Sequence, residues 1–185
     1  KKANMMTHKL LGLLVLSFLL SVVTCNILVE DRDYIRFCEE SQSKKGPRTL
    51  QFKDGDRPSC HNTWEVTKVV SHKADFTRAK FYVNECRGEL VVAFPGTDDV
   101  ADAVANVAAF RKSCPITNGC GSIHAGFLEY YNSLRDGVMA ELALTSSKSG
   151  SYSSVSKVTF VGHSQGGALA TIAAYEAQVR ENQGK

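Results

Sequence analysis

The sequence lacks an apolar run long enough to cross a membrane. Its most apolar stretch, Leu10 to Val23, is shorter than the roughly 20 residues that a spanning helix requires. This stretch lies between Lys9 and Cys25, which is the pattern of a cleaved secretory signal peptide. We therefore predict a signal peptide over residues 1–25, a mature domain over residues 26–185, secretion to the extracellular space and no stable membrane span.

The sequence also lacks a strong charge of either sign. The predicted signal peptide contains three lysines and no acidic residue, so the mature part carries 19 basic and 19 acidic side chains. Residues 1–4 precede the first methionine, and we interpret them as an upstream artefact. No cluster of lysine and arginine interleaved with aromatic residues remains, which excludes the electrostatic footprint of a nucleic-acid partner.

No Cys-x-x-Cys motif or spaced histidine pair is present, which disfavours a metal site, and no Asn-x-Ser/Thr acceptor for N-glycosylation occurs. An odd number of cysteines follows the predicted cleavage point: Cys38, Cys60, Cys86, Cys114 and Cys120. In an oxidising compartment this number implies two disulfides and either a free thiol or a partner outside the sequence. The turn-rich segment between Cys114 and Cys120 makes them the favoured pair.

The hydrophobic pattern predicts a single domain in which the strands of a mixed sheet are combined with helices. Apolar and β-branched runs predict strands over Trp64–Val70, Ala79–Val83, Glu89–Phe94 and Val158–Val161. Helical spacing predicts a short surface helix over Asp31–Gln42, and further helices over Asp98–Ala109, Ser122–Leu144 and Gly167–Tyr175. The polar segments Ser43–Ser59 and Thr145–Ser156 are predicted to be loops.

One pentapeptide, Gly162-His163-Ser164-Gln165-Gly166, carries a pattern of nucleophilic catalysis. It follows a predicted strand and precedes a predicted helix, which is the strand, sharp turn and helix of a nucleophile elbow. In such a turn the serine projects its hydroxyl, and the glycines are needed because a larger side chain would collide with neighbouring backbone. The alternative is a glycine-rich turn that holds an ordinary serine.

Acyl transfer also needs N–H donors for the oxyanion that forms on the substrate. One donor is expected from the backbone of Gln165, the residue after the nucleophile, and a second from a loop after an upstream strand. Thr97 follows the strand that ends at Phe94, and both its N–H and its hydroxyl can donate. Alternatively, Thr97 turns the chain and caps the helix predicted from Asp98.

Three motifs in the same order resemble the class 3 lipase family, which includes secreted fungal triacylglycerol lipases and feruloyl esterases. They are Phe94-Pro95-Gly96-Thr97, Ile123-His124-Ala125-Gly126-Phe127 and Val161-Gly162-His163-Ser164-Gln165-Gly166-Gly167. The resemblance implies an α/β-hydrolase fold, in which a mostly parallel central sheet carries helices on both faces. It also implies Ser164 as nucleophile, and Thr97 and Gln165 as the oxyanion hole. It further implies a carboxylic ester substrate, most naturally a lipid at an oil–water interface, and no requirement for a metal or an organic cofactor.

The sequence departs from this family after the upstream strand. The family usually has arginine at Pro95, and an Asn-Trp or Asp-Trp pair followed by a further Asp where this chain has Asp102-Ala103 and Asn106. The lid of the lipases would lie around Asp98 to Phe110, so the missing tryptophan weakens the case for interfacial activation. Gln165 replaces a common leucine, which a backbone contact tolerates.

A general base for the serine is missing from the expected place. In this fold an acidic residue and then a histidine follow the nucleophile, but no histidine follows Ser164. His163 should point away from the serine, and His124 is expected to be structural. We therefore expect the sequence to stop at Lys185 before the base, its carboxylate and the closing strands, and this chain alone to turn over poorly.

Two functions are compatible with these patterns. The first is a secreted serine ester hydrolase, most simply a triacylglycerol lipase that forms an acyl-enzyme on Ser164. The second is a non-catalytic lipid-binding or surface protein on a hydrolase scaffold, supported by Pro95 and the altered Asp102-Ala103 segment. The preserved elbow favours the first, since a binding protein does not need a strained, exposed serine.

Overall fold

A computed structural model describes residues 29–43, 49–52, 60–72, 77–96, 110–118, 120–148 and 150–184. The predicted signal peptide, Thr97 and the helix predicted over Asp98–Ala109 lie outside this part of the chain. Residues Tyr34–Lys185 form one compact unit. In the other unit, Lys1–Asp33, the structure describes the backbone of residues 29–33, at the start of the first helix.

A five-stranded mixed sheet organises the larger unit. Its strands are β1 Thr49–Gln51, β2 Thr63–Ser71, β3 Arg78–Asn84, β4 Glu89–Phe94 and β7 Lys157–Gly162, in the spatial order β1-β2-β3-β4-β7. The first four pair antiparallel, and β7 pairs parallel to β4. A mostly parallel sheet was predicted, but the sheet of the described residues has three antiparallel pairs and one parallel pair. The reason is that the short connections between its first four strands permit only antiparallel pairing.

Strand β4 confirms the strand that was predicted over Glu89–Phe94 from its apolar run. Each of its six residues is buried, and its side chains alternate between two separate cores. Leu90, Val92 and Phe94 face one core, whereas Val91 and Ala93 face the other. A strand covered on both faces reads as a continuous apolar run, as this one does.

Two helices cover the first face of the sheet. They are α2, Ala125–Ser146, and α3, Gln165–Asn182. The buried side of α2 repeats at helical spacing, with Leu128, Tyr131, Leu134, Val138 and Leu142 packed in the same core as β4. The same helical spacing predicted this longer helix from the sequence.

Helix α1, Val29–Gln42, covers the second face through aromatic contacts. Phe37 is fully buried, with ring centroids 4.9 Å from Trp64 and 4.9 Å from Tyr82. Phe52 packs edge-on against the same ring at 5.0 Å. The helix predicted as a surface element therefore carries the central residue of a core, which gives the unit three layers.

Three local expectations are corrected. The predicted loop Ser43–Ser59 contains β1, since Leu50 is drawn into the second core. The residues Ser122–His124 form strand β6, paired with β5 Arg111–Ser113, so α2 begins at Ala125. The predicted loop Thr145–Ser156 includes a short 3-10 helix whose Tyr152 is buried, with its hydroxyl 2.5 Å from the Glu141 carboxylate.

Two disulfides link neighbouring segments. The predicted pair, Cys114 and Cys120, is bonded, and Cys60 is bonded to Cys86. Cys38 is the free thiol among the described cysteines. Two bridges and one free thiol agree with the odd number of cysteines. None of the described helices combines the length and the apolar character that crossing a bilayer requires.

Candidate active site

The two strand ends that carry the motif residues lie side by side. Because β4 and β7 run parallel, with Phe94 opposite Gly162, the chain leaves both strands at the same edge of the sheet. A Cβ atom on Gly96 would lie 3.0 Å from the carbonyl oxygen of His163. The loop that leads to Thr97 therefore begins beside the residue that precedes Ser164.

Ser164 has the backbone of a strained turn. Its φ of 53° and ψ of −123° place it among the few non-glycine residues that adopt a positive φ. It is the N-cap of α3, yet its hydroxyl does not cap the helix, and the residue is exposed. Strain of this kind typically costs about 1–3 kcal/mol and concentrates at functional sites.

The glycines on either side explain how the turn can be so tight. A Cβ on Gly162 would lie 2.2 Å from the backbone of Gly166, and a Cβ on Gly166 would lie 2.2 Å from the carbonyl oxygen of Phe94. Real Cβ atoms do not approach backbone this closely. Both positions therefore require glycine, which brings the start of α3 directly onto the end of β4.

We expect Gly166→Ala to destabilise the protein by about 2–3 kcal/mol, because the new methyl group would meet the carbonyl oxygens of Phe94 and Pro95 at 2.2 and 2.6 Å. Gly167→Ala is the comparison variant, because its nearest contact, the Gly162 carbonyl oxygen at 3.1 Å, would have to move by only a few tenths of an ångström. Urea unfolding of the two variants measures the difference. Equal stabilities would contradict this account of the elbow.

The start of α3 places the backbone N–H of Gln165 beside Ser164, without an acceptor inside the helix. The N–H of Gly166 donates to the His163 carbonyl at 2.9 Å, and the N–H of Gly167 donates to the Ser164 carbonyl at 3.0 Å. The N–H of Gln165, at the first helical position, has no intrahelical acceptor, because the first turn of any helix lacks them. This N–H and the positive end of the helix dipole suit an anionic oxygen.

The described histidines lie on different elements of the structure. His163 is exposed, and its Nδ1 would lie 3.3 Å from a Cβ on Gly96. His124 ends β6, and its ring centroid lies 4.8 Å from that of Phe127, a packing contact consistent with the structural role expected for it. His61 and His72 flank β2 at its two ends.

The chain was compared with protein families and with solved structures, and one family model matches it. The model of the family described as Lipase (class 3) matches residues 91–184, just over half of the chain, from β4 through the elbow to the end of α3. The chain belongs to the class 3 lipase family. The α/β-hydrolase fold predicted from the sequence is confirmed by the structural relatives of this chain.

One curated relative is the secreted mono- and diacylglycerol lipase 1 of Fusarium solani, 32% identical over 91 residues. The Rhizomucor miehei triacylglyceride lipase superposes with a TM-score of 0.56 at 24% identity, over 64% of this chain. The N225Q mutant of MDLA from Penicillium cyclopium superposes with a TM-score of 0.60 at 22% identity, over 85% of this chain. At these identities, the two solved structures show a shared fold.

A further solved structure is a triacylglycerol lipase whose catalytic centre is formed by a serine protease triad, with 26% identity and a TM-score of 0.55 over 64% of this chain. The chain spans 26% of the curated relative's length. It spans 43% of the Rhizomucor miehei enzyme and of the triad-containing lipase, and 60% of the Penicillium cyclopium protein.

A groove of about 560 Å³ opens beside the elbow. It runs along β7, the outer strand of the described sheet, and passes between α1 on one face and α3 on the other. Its lining is mainly apolar and includes Ile35, Val161, Ala170 and Ala174, together with the free thiol of Cys38. Burial raises the pKa of this thiol, and the neighbouring Glu39 acts in the same direction, so Cys38 is a poor nucleophile at neutral pH.

The described residues also contain a buried ionic cluster that the sequence analysis did not predict. The carboxylate of Glu176, which is 1% exposed, accepts hydrogen bonds from Arg135, Arg180 and the hydroxyl of Tyr131. The i,i+4 spacing of Glu176 and Arg180 was a signal for part of it. Arg135 and Tyr131 come from α2, and their approach follows from the packing of α2 on α3.

Among the described residues, no group of histidine, cysteine and acidic side chains is arranged to hold a metal ion.

Proposed function

We propose that this chain carries the nucleophile of a secreted carboxylic ester hydrolase, and that the whole protein is a triacylglycerol lipase. The observation that carries the proposal is Ser164, an exposed residue with a strained backbone at the first position before α3. Its hydroxyl does not cap the helix, so capping does not explain why Ser164 adopts a strained backbone. Presentation of a nucleophile accounts for it.

In the proposed reaction the Ser164 hydroxyl oxygen attacks the carbonyl carbon of the ester. A histidine accepts the hydroxyl proton and passes it to the departing alcohol, and water then attacks the acyl-enzyme to release the acid. We assign this histidine and its carboxylate to residues outside this sequence. Support comes from the chain order of α/β hydrolases, in which both follow the serine, and from the serine protease triad of the related triacylglycerol lipase.

The negative charge on the carbonyl oxygen is proposed to be stabilised by the N–H groups of Gln165 and Thr97. The N–H of Gln165 belongs to the first turn of α3, beside the serine. Thr97 lies outside the described residues, but it follows Gly96, whose Cβ position is 3.0 Å from the His163 carbonyl. Removing one such donor typically costs about 10²–10³-fold in kcat.

A neutral lipid is the proposed substrate, met at an oil–water interface. The related proteins are named as lipases of mono-, di- and triacylglycerols, which share a glycerol ester bond. The two disulfides support an oxidising, extracellular location. The related Fusarium solani lipase is itself described as secreted.

The proposal is tested by exposing the natural secreted protein to a fluorophosphonate, which reacts with activated serines. We expect one adduct by intact mass, located at Ser164 by peptide mapping, because only a serine with a working base reacts quickly. Denatured protein is the control and should remain unmodified. A folded protein without an adduct would contradict the proposal and favour a non-catalytic lipid-binding scaffold.

A further inference from the structure

An exposed aromatic side chain lies beside two exposed cations at the start of β5. Among the described residues, Phe110 is the most exposed of the large apolar side chains, at 74%. Arg111 and Lys112 follow it directly and are exposed as well. We call these three residues the β5 patch. A single exposed ring is ordinary on protein surfaces, but a ring flanked by cations is typical of segments that lie at a lipid interface.

The charge around this ring is positive. Residues 110–124, which include β5 and β6, contain Arg111 and Lys112 and no aspartate or glutamate. No acidic side chain of the described residues forms an ion pair with either cation. Within the described structure, both cations therefore remain available to an anion outside the chain.

The hairpin of β5 and β6 holds the β5 patch in place. The disulfide between Cys114 and Cys120 closes its loop, and the N–H of Cys114 donates to the carbonyl of Gly121 at 2.9 Å. Ile116 and Ile123 pack against the core between the sheet and helices α2 and α3. A surface that is already formed loses little conformational entropy when it binds a partner.

Helix α2 begins at the edge of the sheet where β4 ends. Because β3 and β4 are antiparallel, β3 starts at that edge. Thr77, just before β3, has its hydroxyl oxygen 2.8 Å from that of Ser133 in the first half of α2. The helix then runs towards the start of β7 at the opposite edge, where Ala143 and Val158 line one cavity. The first residues of α2 therefore lie at the edge that carries the elbow.

The β5 patch shares this edge with Ser164. The N–H of Ala125, the first residue of α2, donates to the carbonyl of Phe110 at 2.8 Å. The parallel strands β4 and β7 both end at the same edge, and the turn at Ser164 follows β7. A surface that meets the β5 patch therefore lies towards the end of the domain that presents the proposed nucleophile.

We propose that the β5 patch docks this protein on a negatively charged lipid surface. The ring of Phe110 enters the apolar layer, while Arg111 and Lys112 meet the anionic headgroups. Lysine is depleted at protein–protein interfaces, whereas arginine and lysine both favour anionic lipid, so the pair of cations fits a lipid surface better than a protein. This inference rests on the proposed function, because it names the kind of surface at which the lipid ester is met.

The test measures binding of the natural full-length protein to vesicles of ether-linked phosphatidylcholine, with or without ether-linked phosphatidylglycerol. Ether lipids contain no ester bond, so binding is measured independently of hydrolysis. We expect tighter binding to the anionic vesicles, and we expect added salt to weaken it because salt screens exposed charges. Binding to the neutral vesicles should not depend on salt.

Two sets of variants separate the parts of the β5 patch. The double variant Arg111→Gln, Lys112→Gln should bind the anionic vesicles about 25-fold more weakly, since each cation contributes about fivefold. Its binding to the neutral vesicles should be unchanged. Phe110→Ala should weaken binding to both kinds of vesicle about tenfold, because burial of the ring does not depend on lipid charge.

The matched control replaces an exposed cation and an exposed apolar residue that are neighbours elsewhere on the surface. Lys68 and Val69 of β2 have this arrangement, and Val69 is 46% exposed. The double variant Lys68→Gln, Val69→Ala should bind both kinds of vesicle like wild type. All variants should hydrolyse p-nitrophenyl butyrate, a soluble ester, at the wild-type rate, which also shows that they are folded.

The possible outcomes are distinct. Equal binding of wild type to both kinds of vesicle, or wild-type binding by either set of β5 variants, would overturn the proposal. Binding to neither kind would also overturn it and would make a protein the better partner for the β5 patch. If wild type binds the anionic vesicles as expected but neither hydrolyses the soluble ester nor reacts with a fluorophosphonate, the proposed function fails. The β5 patch is then the docking surface of a non-catalytic scaffold.

Discussion

Replacing Ser164 by alanine is expected to reduce ester hydrolysis by about 10⁴–10⁶-fold, the loss seen when the serine of a working triad is removed. The reaction would lose its covalent intermediate, and only substrate binding and the oxyanion donors would remain to accelerate attack by water. Because Ser164 is exposed and its hydroxyl does not cap α3, the fold should be preserved. The kcat of the natural full-length protein on a soluble ester measures the effect.

The matched control is Ser153→Ala, an exposed serine in the segment between α2 and β7. It should hydrolyse the ester at the wild-type rate. Circular dichroism and the unfolding midpoint show whether each variant is folded. A folded Ser164→Ala protein with substantial hydrolysis would assign the nucleophile to another residue and remove the basis of the proposed mechanism.

The elbow could be predicted from the sequence because each of its requirements is local. A strand, a turn and a helix follow one another within Val158–Tyr175, and glycines stand where the backbone cannot accept a side chain. The positive φ of Ser164 follows from this local geometry. The neighbouring β4 was predictable for a similar reason, because complete burial leaves a continuous apolar run.

Contacts between segments that are far apart in the sequence could not be predicted, because no local sequence pattern marks them. Arg78 and Lys80 of β3 donate hydrogen bonds to the carbonyl groups of Gln42 and Ser43 at the end of α1, more than thirty residues earlier in the chain. Strand β1 has only three residues, too few for a periodic signal, and its pairing depends on Leu50 entering the aromatic core. Such features are decided by tertiary packing, which outweighs local preference in short segments.

The buried carboxylate of Glu176 joins the two helices on one face of the sheet. Arg135 Nη2 approaches it at 2.8 Å and Arg180 Nη2 at 2.7 Å, while the hydroxyl of Tyr131 donates to Oε2 at 2.7 Å. Burial opposes ionisation of Glu176, but the hydrogen bonds from Arg135, Tyr131 and Arg180 outweigh it and lower the pKa of the carboxyl group. The carboxylate is therefore charged in the folded protein at neutral pH.

We expect Glu176→Gln to lower the free energy of unfolding by about 3 kcal/mol at pH 7. Removing one partner of a buried ion pair typically costs about 3–5 kcal/mol. The lower end applies because the side chains of Arg135 and Arg180 are 35% and 41% exposed and can turn towards water. Tyr131, which is fully buried, would keep an amide oxygen as acceptor. Urea unfolding of the folded protein measures the loss.

The same carboxylate should make this loss depend on pH. A folded-state pKa below the ordinary glutamate value of about 4.3 means that the ionised form contributes its full stabilisation above that value. The contribution is then lost as the pH falls from about 4.3 through the lower folded-state pKa. Because glutamine does not titrate, the stability difference between wild type and Glu176→Gln should be constant above about pH 5 and shrink at lower pH.

Glu181→Gln is the matched control, since Glu181 lies on the same helix but is exposed, and it accepts a hydrogen bond from Gln178. It should leave stability unchanged, because exposed pairs contribute little. A Glu176→Gln protein as stable as wild type at pH 7 would show that the two arginines gain as much from water as from the carboxylate. A pH-independent loss would instead assign the effect to packing between α2 and α3, with the charge of Glu176 playing no part.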